Sequence, residues 1–197
     1  MYNIARSFMA AAIVAAGLVA AGAPASAQPP PPCDFVSGGG FVMTSVGAKG
    51  NFGAHGGCKQ GDYWGHVNYV DHGEFPEDLL YHVTSTEITG YFQTGSNVRD
   101  ICGIATTNGD EPQPVHFRVR MVDNEESGAP DKFGIRLSNG YHVGLRSLGD
   151  ETSDGGNVNL HEGNPSTTGP DPVPDVDAAC AYVNPPSDGG GGGIDAP

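Results

Sequence analysis

The sequence has 197 residues, with 9 Lys and Arg against 23 Asp and Glu, a formal charge of -14, and 4 Cys. Its 31 Gly and 16 Pro put the average composition between a globular and a low-complexity chain, so a folded unit has to be separated from simpler ends. Such acidity excludes nucleic acid as a partner, because gripping a phosphate backbone takes clustered Lys and Arg.

Residues 1–27 join a free amino group and Arg6 to the apolar run Phe8 to Ala20 and close on Ala25-Ser26-Ala27, the pattern of a secretory signal peptide cut near Ala27. The run is too short to cross a hydrocarbon core of roughly 30 Å. The mature chain is therefore expected to be secreted or at the cell surface, with no transmembrane segment. Gln28 to Pro32 forms a proline-rich spacer, stiff and extended because each ring fixes its backbone angle.

Residues 33–162 are expected to form one β domain. Candidate strands are Phe41 to Val46, Gly50 to His55, Tyr63 to Asp71, Leu80 to Phe92, Val98 to Thr106, Val115 to Met121, Phe133 to Leu137, Tyr141 to Leu145 and Val158 to His161. The sixth has the clearest alternation, with Val115, Phe117, Val119 and Met121 on one face and His116, Arg118 and Arg120 on the other. Asn108-Gly109 and Asn139-Gly140 supply the residues that tight hairpins need. The expected fold class is all-β, a single antiparallel sandwich or barrel of about nine strands with disordered Pro/Gly-rich ends. The tail, 163–197, carries Pro165, Pro170, Pro172, Pro174, Pro185, Pro186 and the run Gly189 to Gly193, and only Ala178 to Val183 offers apolar surface to set against ordering entropy.

Cysteines in an exported chain favour disulfides, and four of them allow three pairings. Cys33 and Cys180 flank the strand-rich unit while Cys58 and Cys102 lie within it, which leads us to expect Cys33 with Cys180 and Cys58 with Cys102. No C-x2-C spacing supports a structural zinc site.

The segments Gly38-Gly39-Gly40, Gly47 to Gly53, Gly65 to His72, His82 to Thr89, Asp100-Ile101-Cys102-Gly103, Asp123-Asn124-Glu125, Asp131-Lys132-Phe133 and Gly155 to His161 occur in that order. Together they resemble a family of exported bacterial β modules, the post-COAP type, over residues 33–162. The resemblance implies an antiparallel β domain outside the cytoplasm with a modular, accessory role, and it brings no catalytic residue with it.

Two constellations are candidate metal sites. His66, Asn68 and His72 share a strand face, with Asp71 turned away, and His82 on the next strand is placed to join them as zinc or copper ligands; the plainer alternative is local hydrogen bonding. The loop from Asp123 through Glu126 to Asp131 gathers oxygen ligands suited to extracellular calcium, although Gly134 stands where an EF-hand needs its bidentate Glu. Apart from possible calcium, no cofactor is expected. No G-x-S-x-G or Cys–His nucleophile is apparent, and Glu74, Glu77 and Asp78 read as a solvated acidic loop. Trp64, Tyr63, Tyr69, Tyr81, Tyr91 and Phe92 crowd two strands, so at least one ring is expected outside to meet a sugar or a protein. The expected function is a secreted non-catalytic β module that binds an unknown protein or glycan ligand. The alternative is a secreted metal-dependent hydrolase with a His-rich site.

Overall fold

The structure is a computed structural model that describes residues 33–73, 80–109, 112–124 and 128–188, with the backbone of 193–194. The expected signal peptide, the spacer, the acidic residues Glu74, Glu77 and Asp78, Glu126 and most of the glycine-rich end lie outside the described residues.

Ten strands follow in chain order: β1 (Phe35–Met43), β2 (Lys49–Lys59), β3 (Asp62–Asp71), β4 (Tyr81–Gly95), β5 (Val98–Thr107), β6 (Val115–Val122), β7 (Lys132–Leu137), β8 (Tyr141–Ser147), β9 (Gly156–His161) and the two-residue β10 (Gly193–Ile194). They form one antiparallel sheet in the order β10-β8-β7-β6-β5-β4-β3-β2-β1-β9. Strands β1 to β8 thus make an uninterrupted meander, and β9 returns to cover the free edge of β1.

The sheet curls into a half-barrel around its own inner face. Phe52 on β2 stacks on Phe133 on β7 with ring centroids 3.9 Å apart, and Tyr69 on β3 lies 6.1 Å from Tyr141 on β8. Those strands are far apart in sheet order, so rolling alone brings their rings together, with Val36, Val67, Ile101, Phe117 and Val143 filling the same core. Gly50 faces Tyr69 so closely that a Cβ there would lie 2.2 Å from the phenol oxygen, which is why a glycine interrupts the alternation. Closure is partial: Val42 bridges to Leu148 just beyond β8, and the Phe41 carbonyl accepts the Gly149 N–H at 3.0 Å.

Turn chemistry explains the connections. Gln60 and Gly61, with φ of 55° and 88°, join the paired residues Lys59 and Asp62 in a two-residue hairpin of the kind that requires positive φ at both positions. Gly140, with φ of 94°, serves the β7–β8 turn as expected. Asn108 does not make a tight hairpin. Its side chain instead accepts the His82 N–H at 2.7 Å and donates to the Leu80 carbonyl at 2.7 Å, capping the start of β4.

The disulfides pair Cys33 with Cys58 and Cys102 with Cys180, correcting the expected connectivity. The β1–β2 ladder sets Phe35 opposite Gly57, which carries Cys33 to within 5.7 Å of Cys58 between α-carbons. Position along the chain, the basis of the expectation, ignored this hairpin.

Cys102 faces outward from β5, where it meets the chain beyond His161. Residues 163–188, acidic and proline-rich, lie along the sheet as a strap. Cys33 and Gln60 donate their N–H groups to Thr167 and Ser166 carbonyls at 2.7 and 3.0 Å. A single turn, α1 (Val176–Ala179), is capped by Asp175, and the Ala179 carbonyl accepts the Thr89 hydroxyl at 2.7 Å. The Leu145 N–H then donates to the Ser187 carbonyl at 3.0 Å. A crosslink and a series of backbone bonds supply what the strap lacks in apolar surface. Beneath it, Asp100 is fully buried and receives Arg118 and Arg120 at 2.7 Å each. Among the described residues no helix is long and apolar enough to cross a membrane.

Candidate functional site

Of the histidines expected to bind metal, His66 stands apart from the other two. His66 lies on the outer face of β3 and His72 just beyond its end, and six residues at about 3.3 Å each hold them roughly 20 Å apart. His82 stands near Val70, which is its register partner, and so lies well away from His66. Among the described residues no group of three or more His, Cys, Asp or Glu is placed to hold a metal ion.

Asp123 and Asp131 also have other work. One oxygen of Asp131 accepts the Val158 N–H at 2.7 Å and the other accepts the Asn124 N–H at 2.7 Å. Asp123 accepts the Leu160 N–H at 2.8 Å. Alternate backbone donors along β9, on the edge away from β1, are therefore satisfied by carboxylates from the β6–β7 loop. Glu126, the third expected ligand, is outside the described residues.

What the fold does assemble lies on the outer face of β9, β1, β2 and β3. Their registers align three rows across the strands: His161, Phe35, Gly57 and Trp64; then Asn159, Ser37, His55 and His66; then Asn157, Gly39, Gly53 and Asn68. Rows on one face of a strand are about 7 Å apart and adjacent strands about 4.8 Å, so the patch measures roughly 14 by 14 Å.

The first row is an aromatic wall. The Phe35 ring stacks on the His161 imidazole at 4.3 Å with an interplanar angle of 11°, and Trp64 leans toward Phe35 at 6.0 Å. Gly57 makes this possible, because a Cβ there would stand 2.5 Å from that of Phe35. Trp64 is half-buried, and its indole N–H donates to the Cys58 carbonyl at 3.2 Å, which fixes the ring's orientation.

The second row is polar. Ser37 Oγ lies 2.8 Å from His161 Nε2, and Ser85 Oγ lies 3.1 Å from His66 Nδ1. His55 sits 5.4 Å from Trp64 and 6.4 Å from His66 between ring centroids. Burial, and then the neighbouring His66, hold its imidazole below the ordinary histidine value. The third row is a shelf: Gly39 and Gly53 are exposed side by side, with exposed Asn157 and Asn68 at its two ends.

Chemically, this face offers a flat apolar ring system, imidazoles, a hydroxyl and carboxamides. Neither Ser–His contact is part of a triad: among the described hydrogen bonds, no carboxylate orients either imidazole from its second nitrogen, as acyl transfer would require. Of the aromatic residues singled out in the sequence, Trp64 alone belongs to this patch, whereas Tyr69, Tyr81, Tyr91 and Phe92 are buried. Phe35, His55 and His161 were not foreseen. The signal for them was the spacing of Ser37, Gly39, His55 and Gly57 at every second residue, masked by the surrounding glycines.

No family model, no curated protein and no solved structure matches this chain. The structure shows the curled all-β module that the resemblance implied, and none of these comparisons ties the chain to the exported family.

Proposed function

We propose that this protein is a non-catalytic β module, exported from the cell, that binds neutral carbohydrate through the outer face of β9, β1, β2 and β3. The observation that carries the reading is the half-buried Trp64–Phe35–His161 wall facing, across the polar row of Ser37 and His55, a glycine shelf flanked by Asn68 and Asn157. A sugar presents one apolar face and a rim of hydroxyls. The wall suits the first by stacking, and Ser37, Asn159 and the two asparagines suit the second. The patch is wide enough for two or three sugar rings, and its openness favours weak binding, on the order of 0.1 to 1 mM. A formal charge of -14 disfavours anionic polymers and leaves neutral glycans unopposed. Export rests on the leader-like residues 1–27 and on the resemblance to post-COAP modules.

Trp64 is the sole tryptophan, so its fluorescence reports directly on the patch. Titrating a panel of neutral oligosaccharides into the disulfide-intact protein should shift the emission with at least one of them, and Trp64→Ala should abolish binding measured by calorimetry. Capture of an envelope protein with no glycan response would replace this reading by a protein-binding one.

A further inference from the structure

A second site, independent of that patch, lies on the opposite flank. Arg118, Arg120, Lys132 and Arg136 all project from the outer face of β6 and β7, four of the 9 basic residues in the whole sequence. Three of them have carboxylate partners: Arg118 and Arg120 share Asp100, and Lys132 meets Asp188 at 3.2 Å. Arg136 is the exception. It stands directly opposite Arg118 in the β6–β7 register, an arrangement of like charges that costs free energy, and its Nε is buried without a hydrogen-bond partner among the described residues.

Arg136 borders a cavity of 270 Å³ that it shares with Ser138 and Gly140 of the β7–β8 turn and with Tyr182 and Asn184 of the strap. The strap is turned there by two successive non-glycine residues in the left-handed region, Ala181 with φ of 48° and Tyr182 with φ of 60°. Side chains rarely adopt this conformation, and strain of this kind gathers at ligand clamps. The turn also leaves the Tyr182 ring 79% exposed at the cavity's edge.

We propose that this cavity binds a single carboxylate-bearing sugar, its carboxylate paired with the Arg136 guanidinium and its ring lying against Tyr182. A guanidinium fork matches a carboxylate geometrically, and one unpaired cation suits a monoanion better than a dianionic phosphate. Ser138 and Asn184 supply partners for sugar hydroxyls. The volume, near the lower end of small-ligand sites at about 300 Å³, admits one ring rather than a chain. The overall negative charge does not prevent this, because charges more than a Debye length of about 8 Å from the site are largely screened at physiological salt.

The test is titration of glucuronate into the full chain with both disulfides intact, followed calorimetrically and by the Arg136 side-chain N–H resonance, with glucose, acetate, phosphate and a peptide bearing a free C-terminal carboxylate as comparisons. The expected result is saturable binding of glucuronate alone, weakened at least about tenfold by Arg136→Gln, as befits loss of a charge-assisted hydrogen bond. Exposed Tyr182→Ala should weaken it severalfold, and neither variant should melt below the parent, Arg136→Gln melting at or above it because it removes the like charge opposite Arg118. Trp64 emission should not change, which separates this site from the neutral-glycan patch. Absence of saturable binding, undiminished affinity in Arg136→Gln, or an equal response to acetate, glucose, phosphate or the peptide would overturn the assignment.

Discussion

Asp131 fastens the β6–β7 loop to Val158 by accepting its backbone N–H at 2.7 Å, and because Val158 is fully buried this donor has no water to turn to. Replacing Asp131 by Ala orphans that N–H and the Asn124 N–H together. At about 1 to 3 kcal/mol for each charge-assisted bond to a buried group, Asp131→Ala should cost about 3 kcal/mol in urea unfolding, and Asp131→Asn less, since its amide oxygen still accepts one donor. Calcium should leave the midpoint unchanged, because both oxygens already serve the backbone. A calcium-dependent rise in melting temperature, lost in Asp131→Ala, would return the loop to an ion-binding role.

Alternation made most of the sheet legible in the sequence, but it failed where glycine replaces a side chain. Val115 to Met121 and Phe133 to Leu137 were readable because every second residue is large and buried. The first half of β1 was not, because Gly38 must leave room for Met121, whose terminal methyl would sit 2.8 Å from an added Cβ. Periodicity also left sandwich and barrel equivalent. The distinction lies in Phe52 meeting Phe133, a contact between strands distant in sequence that no local pattern encodes. The binding face was hidden for a related reason: Phe35, His55 and His161 belong to three different strands, and only the registers of β1 with β2 and β9 set them together.

The two disulfides should differ in worth. Cys102–Cys180 spans 78 residues and Cys33–Cys58 spans 25. Loop-closure entropy gives about 4.5 and about 3.5 kcal/mol as upper values, so removing the first by paired Cys→Ala changes should cost roughly 1 kcal/mol more. It should also have a local signature. With Cys180 released, the strap over Asp100 keeps hydrogen bonds, ion pairs and the small apolar contacts of Val176, Ala179 and Val183, and limited proteolysis should cut within 163–188 before the sheet is attacked. Peptide mapping without reduction should recover the 33–58 and 102–180 crosslinks, and equal resistance of the strap in the variant would show that the crosslink does not hold it.

His55 should give the protein a stability change near neutral pH. Burial and the adjacent His66 depress its folded value below the 6.5 of a free imidazole, so across the interval between the two the unfolded chain binds the additional proton. The contribution is intact above 6.5 and is lost as pH falls through the lower, folded value. Urea midpoints should therefore drop between about pH 7.5 and about pH 5, and His55→Gln should drop less over the same interval. An identical drop in the variant would assign the effect to other histidines.

Asp34 should govern a separate, more acidic limb. Burial by itself would raise its carboxyl, but hydrogen bonds from Arg99 and from the Tyr91 hydroxyl at 2.7 Å outweigh that and hold it below 3.8. Its contribution is thus complete above 3.8 and disappears as pH falls through the folded value, where protonation breaks the pair. Asp34→Ala leaves the buried Arg99 guanidinium with the carbonyls of Gly95, Ser96 and Val98 but no counter-charge. Breaking one side of a buried pair costs about 3 to 5 kcal/mol, and those carbonyls place this case at the low end, about 3 kcal/mol at neutral pH. The gap between parent and variant should narrow as pH drops below 3.8, so denaturant titrations at neutral and strongly acidic pH that showed a constant gap would mean Asp34 acts through packing and not through its charge.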